Sequence, residues 1–180
     1  KAVILAGGLG TRLSEETDLK PKPMVEIGNK PIIWHIMKNL SYWGIKEFII
    51  CCGYKGHVIK QYFDNYRSNN FDIEVDLGLG ETRRLSPPKE DWKVTLIDTG
   101  ENTQTGGRLK RVAHLLPSNE SFLFTYGDGL TNVDIEALTS FHKKMKRLAT
   151  VTAVQLPGRF GSLSIENDRV SEFVEKRRGD

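Results

Sequence analysis

The residues with the clearest chemical potential form a glycine loop, Ala6 to Leu13 (AGGLGTRL). Its closely spaced glycines let the backbone approach a ligand and adopt conformations that other residues avoid. Consecutive backbone N–H groups in such a loop form a concave site for an anion. Thr11 adds a hydroxyl, and Arg12 adds a forked cation that suits phosphate. The segment therefore predicts phosphate binding, with a tight turn beside an incidental arginine as the alternative.

Two well-known phosphate loops are excluded by spacing. A Walker A loop needs G-x-x-x-x-G-K-[ST], and no stretch of the chain supplies it. The dinucleotide fingerprint needs G-x-G-x-x-G, but Gly8 and Gly10 are followed by Leu13 where the third glycine should stand.

Two further segments carry charges that could act on a phosphate. The prolines of the segment 20–23 (KPKP) predict an extended backbone that could aim Lys22 at a transferring phosphoryl group. Asp128 stands between two glycines after an apolar run, a position where carboxylates commonly hold Mg²⁺ on phosphate substrates. A solvated Lys-Pro loop and an ordinary turn aspartate are the alternatives.

A fourth segment, 103–108 (TQTGGR), precedes a predicted helix whose N-terminus would favour an anion or the base of a nucleotide. Thr103 and Arg108 are its candidate contacts, and a simple helix start is the alternative. Gly161 and the pair Glu175-Lys176 complete the candidates; by itself this pair would be an ordinary solvated one.

The cysteines and histidines favour no catalytic site. Cys51 and Cys52 are adjacent on a predicted strand, so they point to opposite faces and cannot form an ordinary disulfide. Two thiolates do not make a zinc site, and we interpret both residues as small buried side chains in a reducing compartment. The histidines lie on predicted helices without metal-ligand partners.

The elements that must position these residues alternate between strand and helix. Apolar runs predict strands over 1–5, 48–52, 71–77, 93–99, 121–126, 149–156, 162–165 and 169–175. Helical spacing predicts helices from Pro31 to Gly44 and over 57–66, 108–116 and 133–146. Buried strands alternating with helices indicate an α/β fold, with a mainly parallel sheet and helices on both faces. Ligands of such sheets bind beyond the carboxyl ends of the strands, where the glycine-rich segments fall.

Composition limits the partners. The chain has 180 residues, 38% of them hydrophobic, and a net charge of +3 that is spread along the chain. This length suits one domain, and the apolar runs fall short of the roughly 20 residues that cross a membrane. We therefore expect no membrane and no nucleic-acid partner. The polar stretch 67–91 is predicted to be an insertion or a mobile loop.

The ordered motifs KAVILAGGLGTRL, KPKPMVEIGNKPIIWHIM, YGDG and EK resemble the sugar-1-phosphate nucleotidyltransferases. Within that family, FIICCGYKG, VTLIDTG, TGGRLKR, FLFTYGDG and PGRFG are most similar to members that use CTP. The resemblance implies one nucleotidyltransferase domain over 1–180, with the Rossmann-like fold of nucleotide-diphospho-sugar transferases. It also implies a homo-oligomer in the cytoplasm.

The resemblance further implies a Mg²⁺-dependent transfer, in which a phosphate oxygen of α-glucose 1-phosphate attacks the α-phosphorus of CTP. Catalytic roles would fall to Arg12, Lys22 and Asp128, with Asp128 as the metal ligand. The nucleotide would contact Leu5, Ala6, Gly7, Gly8, Leu9, Gly10, Thr11, Arg12, Lys22, Thr103, Arg108 and Asp128. The sugar phosphate would contact Gly161, Glu175 and Lys176.

The chain departs from the family in two respects. Arg177 follows Glu175-Lys176, where the family motif has proline. Members also run well beyond 180 residues, so we expect this chain to lack a C-terminal part with an N-G-G sugar-binding segment and a second metal-binding aspartate. The alternatives are a related enzyme with another base or sugar, and a non-catalytic nucleotide-binding homologue.

Overall fold

A computed structural model describes residues 1–8, 20–154, 162–166 and 169–174. The chain divides into two units, Lys1–Glu136 and Ala137–Asp180. The strands are β1 Ala2–Ala6, β2 Glu26–Ile27, β3 Lys30–Pro31, β4 Glu47–Cys52, β5 Ile73–Asp76, β6 Glu81–Arg84, β7 Lys93–Asp98, β8 Leu123–Tyr126, β9 Ser162–Glu166 and β10 Arg169–Val174. The α-helices are α1 Ile32–Tyr42, α2 Gly56–Asp64, α3 Tyr66–Asn70, α4 Thr105–Val112 and α5 Ile135–Met145.

The first unit is built on a four-stranded parallel sheet in the order β7-β4-β1-β8. The central strands β1 and β4 are buried along almost their whole length. Their sequences, AVILA and EFIICC, are nearly continuous apolar runs because both faces of the sheet are covered. The predicted parallel sheet is confirmed.

One face of this sheet is covered by α4. Val3, Leu5, Ile49 and Cys51 form a buried cluster with Val112 of that helix. These strand residues have odd numbers and lie in register, so they share one face.

The opposite face is covered by α1 and α2. Gly56 of α2 lies so close to Cys52 that a Cβ built on the glycine would come within 2.9 Å of the cysteine Cβ. The ring of Phe48 lies 5.9 Å from that of Trp92, which in turn lies 6.0 Å from the ring of Trp34 in α1. Helices therefore lie on both faces, as the sequence predicted.

Most predicted elements are confirmed within a few residues. α1 follows Pro31, and Gly44 has a φ of +83° just after the helix. α4, by contrast, begins at Thr105, three residues before the predicted start, and includes two glycines in its first turn. At Gly107 a Cβ would come within 2.8 Å of the Thr103 methyl group, so close packing requires glycine there.

Two local predictions are wrong. The segment 20–23 is extended only at Pro21, because Lys22–Met24 form a 3₁₀ turn closed by donation of the Met24 N–H to the Pro21 carbonyl at 2.7 Å. The φ that proline imposes suits both an extended and a helical backbone, so proline alone did not decide between them. Residues 149–154 form no strand although they are rich in β-branched residues, since a strand also needs a partner. The rest of that predicted strand lies outside the described residues.

The stretch 67–91 contains regular structure that the sequence only partly predicted. α3 is followed by an antiparallel pair of β5 and β6. In the turn, the side chain of Asp76 accepts hydrogen bonds from the N–H groups of Gly78 and Leu79, both at 2.9 Å. β5 matches the predicted strand over 71–77, whereas the polar sequence of β6 carries no strand signal. That the stretch is an insertion stays a prediction.

The second unit includes most of α5 and the antiparallel pair of β9 and β10. This pair confirms the two short strands predicted over 162–165 and 169–175. Among the residues described, no helix is long and apolar enough to cross a membrane.

The cysteines lead to a first test. Both are buried free thiols, and burial raises the pKa of each to about 11. Because the thiolate is the reactive species, we expect iodoacetamide to leave Cys51 and Cys52 unmodified in the native protein at mildly alkaline pH. Unfolded protein should take up the label at both residues, as read by mass spectrometry. Rapid labelling of the native protein would contradict their burial.

Candidate active site

A cavity of about 540 Å³ opens beyond the carboxyl ends of the parallel strands. We call it the strand-end cavity, and its lining residues are Leu5, Ala6, Gly7, Gly8, Lys22, Pro23, Glu101, Asn102, Thr103, Gln104, Thr105, Arg108, Tyr126 and Asp128. They come from the ends of β1 and β8, from the 3₁₀ turn, and from the loop that leads into α4. The volume lies in the ordinary range for small-molecule sites.

The cavity collects the predicted site residues that the structure describes: Leu5, Ala6, Gly7, Gly8, Lys22, Thr103, Arg108 and Asp128. The remaining predicted residues, Leu9, Gly10, Thr11, Arg12, Gly161, Glu175 and Lys176, lie outside the described residues. Motifs that are far apart in sequence thus converge at the edge of the sheet where ligands of α/β folds bind.

Lys22 and Asp128 form an ion pair in the cavity wall. The lysine Nζ lies 2.8 Å from the aspartate Oδ2, and the two residues are 106 positions apart in sequence. Their side chains remain 28% and 34% exposed, so the pair contributes only about 0–1 kcal/mol to stability. Its main consequence is geometric, because it presents a cation and a carboxylate side by side.

Gly127 explains why these two charges meet. Its N–H donates to the Leu5 carbonyl at 2.8 Å, which joins the ends of β1 and β8. A Cβ on Gly127 would lie 2.9 Å from Pro23 Cγ and 3.0 Å from the Leu5 oxygen. The glycine before Asp128 therefore lets the proline after Lys22 pack closely, which brings the two charged side chains into contact.

Arg108 lies against Gly7, at the start of the glycine loop, with only 5% of its surface exposed. Its Nη1 donates to the Cys52 carbonyl at 3.1 Å and to the Thr99 hydroxyl at 2.7 Å. Its Nη2 donates to the carbonyls of Gly7 and Glu101, both at 2.9 Å. One guanidinium thus joins the segments that follow β1, β4 and β7.

The burial of Arg108 costs desolvation free energy and restricts which residues can stand beside it. Desolvation lowers the pKa of its guanidinium below the usual value, although the group remains a cation. A Cβ on Gly7 would lie 2.1 Å from Nη1, and one on Gly53 would lie 2.5 Å from it. At Gly7 the guanidinium fills the space that a side chain would take. At Gly53 the Gly7 oxygen and Cα, at 2.8 and 2.9 Å from a built Cβ, exclude a side chain as well. A contact of Arg108 with a base stays a prediction.

Several cavity residues were missed by sequence reasoning, namely Glu101, Asn102, Gln104, Thr105 and Tyr126. The loop residues carry no pattern that would separate them from an ordinary connection. Tyr126 could have been found, since it directly precedes Gly-Asp-Gly and is 58% exposed although it ends a strand.

The donor set fits a metal shared with a substrate. No group of three or more His, Cys, Asp or Glu side chains placed to hold a metal occurs among residues 1–8, 20–154 and the other described positions. Mg²⁺ is typically bound by one or two carboxylates together with substrate phosphates, so it does not need a full protein cage. Asp128, as a carboxylate facing the cavity, fits that arrangement.

A larger open depression of about 970 Å³ lies along β7, α2 and α3. Lys60, Tyr66, Arg84 and Trp92 are among its lining residues, and none of the predicted site residues that the structure describes lines it. Size alone would favour it, but the phosphate-type chemistry lies in the strand-end cavity, which we take as the site.

Comparisons with known proteins identify the family of this chain. The family model described as nucleotidyl transferase matches residues 1–179. The chain is 58% identical to glucose-1-phosphate cytidylyltransferases of Salmonella typhi and Salmonella typhimurium, over all of this chain and 70% of each relative. A crystal structure of HddC from Yersinia pseudotuberculosis complexed with GMP-PN is similar, with a TM-score of 0.62 and 29% identity. That match covers 98% of this chain and 69% of the other.

The packing around Gly127 gives a second test. Gly127→Ala places a Cβ against Pro23 and the Leu5 carbonyl, so we expect a loss of about 1–3 kcal/mol in the free energy of unfolding. Gly129→Ala is the matched control, because no atom lies within 4 Å of the place its Cβ would take, and it should change stability by less than about 0.5 kcal/mol. Denaturant unfolding measures both. Equal effects would show that the contact with Pro23 is unimportant.

Proposed function

The chain belongs to the nucleotidyl transferase family, and on this premise we propose that it transfers a cytidylyl group from CTP to α-glucose 1-phosphate, giving CDP-glucose and pyrophosphate. Identity of 58% over the whole chain supports the choice of substrates. The observation that carries the proposal is the strand-end cavity, where Gly7 and Gly8 of the glycine loop come together with Lys22 and Asp128.

In this proposal each part of the cavity has a role. The backbone of Leu5 to Gly10 holds the nucleotide, and Thr11 and Arg12 bind its β- and γ-phosphates. Thr103 contacts the region of the base. Gly161 and the pair Glu175-Lys176 contact the sugar phosphate.

The reaction asks for positioning and charge neutralisation more than for covalent chemistry by the protein. A phosphate oxygen of the sugar phosphate forms a bond to the α-phosphorus of CTP, and the bond from that phosphorus to the bridging oxygen breaks. Pyrophosphate leaves with the electron pair. Lys22 neutralises negative charge near the α-phosphate, and its pairing with Asp128 holds the ammonium group in the cavity wall before the ligand arrives.

Members of this family generally use a divalent metal, and we propose Mg²⁺ for this chain. When bound, the ion would supply further neutralisation of phosphate charge, and Asp128 is the residue that would hold it. Asp128 would then hold the metal in place of Lys22, and the Lys22 ammonium group would be left to contact phosphate. The homo-oligomeric state and the cytoplasmic location expected from the sequence stay predictions.

The direct test is release of pyrophosphate by the full gene product with α-glucose 1-phosphate, Mg²⁺ and each nucleoside triphosphate in turn. We expect release with CTP and much less with the others. Release with a different nucleotide would assign another base. Binding of CTP without turnover on any sugar 1-phosphate would favour a non-catalytic nucleotide-binding protein.

Lys22→Ala separates binding from turnover. Because the charge on Lys22 acts mainly on the transition state, we expect kcat to fall on the order of 100-fold while CTP affinity changes little. Lys20→Ala is the matched control, since Lys20 lies in the same segment but pairs with Glu26 at 2.7 Å and does not line the cavity. Steady-state kinetics and calorimetric CTP titration provide the two readouts. Unchanged turnover in Lys22→Ala would remove this lysine from the mechanism.

A further inference from the structure

We propose that Arg108 is a positioning residue that acts on the nucleotide phosphates through the protein backbone and through its buried charge, instead of through the base. The inference rests on the proposed nucleotide site. It assigns part of the binding of the triphosphate to a buried side chain that contacts Gly7, at the start of the glycine loop.

The first step is the geometry of the strand ends. The Gly7 carbonyl accepts from Arg108 Nη2 at 2.9 Å and from the Tyr54 N–H at 3.3 Å. The Cys52 carbonyl accepts from Arg108 Nη1 at 3.1 Å and from both the N–H and the hydroxyl of Thr99, at 2.9 Å and 2.7 Å. Fixing the Gly7 carbonyl also fixes the peptide plane that carries the Gly8 N–H, one of the groups that would face an anion.

The second step is that Arg108 and two glycines occupy one shared space. A side chain at Gly7 or Gly53 would overlap the guanidinium, as the short distances to a built Cβ show. The backbone of Gly7 and Gly53 therefore lies directly against the guanidinium, which also donates to the Gly7 carbonyl. Loss of the guanidinium removes both the packing and the hydrogen bond at Gly7.

The third step is electrostatic. Among the described residues, no carboxylate lies within ion-pair distance of Arg108. The residue also lies in the first turn of α4, where a cation is disfavoured by the helix dipole, and that turn contains no acidic residue. The buried positive charge and the positive end of α4 thus add at one side of the strand-end cavity. A triphosphate is the ligand chemistry that such a field would favour.

If Arg108 contacted the base instead, the effect of its removal on ligand binding would differ. Removing a base contact would weaken binding of CTP but leave a ligand with no base unaffected. Removing a residue that positions the loop and supplies charge would weaken both. Inorganic tripolyphosphate is therefore the probe that distinguishes the two roles.

The test compares Arg108→Met with Arg111→Met. Arg111 lies on the same helix and donates to the Thr99 carbonyl, but it is exposed and does not line the cavity. Calorimetry measures the affinities of CTP and of tripolyphosphate. We expect Arg108→Met to weaken both by a similar factor of about tenfold or more, and Arg111→Met to change either by less than about threefold. Loss of CTP affinity with unchanged tripolyphosphate affinity would overturn the proposal.

A second readout needs no ligand. Amide hydrogen exchange of Tyr54 and Thr99 reports on the two carbonyls that Arg108 holds. Arg108→Met should accelerate exchange at both amides far more than Arg111→Met does, and unchanged exchange would overturn the proposal. If wild-type protein binds neither ligand, the proposed function fails while exchange still decides the positioning role.

Arg108→Lys completes the set and serves in place of Arg108→Met if the latter does not fold. It keeps the charge but loses the forked geometry. We expect accelerated exchange together with partial recovery of tripolyphosphate affinity relative to the methionine variant. Full recovery of both exchange and affinity by lysine would show that the fork is not needed and would overturn the positioning role.

Discussion

A single buried guanidinium links the strand ends on which the site is built. Parallel strands leave backbone carbonyls at their carboxyl edge, and a buried carbonyl without a donor is costly. Arg108 supplies donors to carbonyls that follow β1, β4 and β7 and to the Thr99 hydroxyl. The guanidinium lies against Gly7 and Gly53, where a side chain would overlap it, so a cation buried at a desolvation cost packs directly on the backbone that it bonds.

The charged residues at the rim of the cavity differ from the buried Arg108 in their exposure to solvent and in their contribution to stability. Lys22 and Asp128 are in contact but partly exposed, and such a pair adds little to stability. In the proposed function this weakness is useful, because Lys22 would exchange its partner for a phosphate and Asp128 would exchange its partner for a metal at a small cost in free energy. The packing of Pro23 on Gly127 keeps the two backbones in place during such an exchange, since that contact depends on shape and not on charge.

These two layers suit nucleotidyl transfer. The chemistry needs reactants held in line and negative charge neutralised, and it needs no nucleophile from the protein. The rigid edge of the sheet would hold the reactants in line, and Lys22 together with a metal held by Asp128 would neutralise negative charge. Among the residues that the structure describes, the larger depression along β7 is lined by none of the predicted site residues, so cavity size alone would have pointed to a different place.

The sequence by itself determined the fold class, the approximate limits of most strands and helices, and the motifs that line the cavity. These features are local: continuous apolar runs such as AVILA reveal buried strands, and a phosphate-type loop depends on neighbouring glycines. The two wrong predictions also have physical reasons. The backbone limits of proline did not exclude the 3₁₀ turn at Lys22. The β-branched residues of 149–154 favour a strand, but none of the described strands pairs with them.

Tertiary structure alone decided which of these residues meet and in what environment. The contact between Lys22 and Asp128 joins positions 106 apart, and it follows from the strand order and from the close approach at Gly127. The burial of Arg108 is likewise invisible in TQTGGR, where an arginine at the start of a helix would be expected on the surface. Burial depends on the surfaces that other segments bring, and no local pattern contains that information.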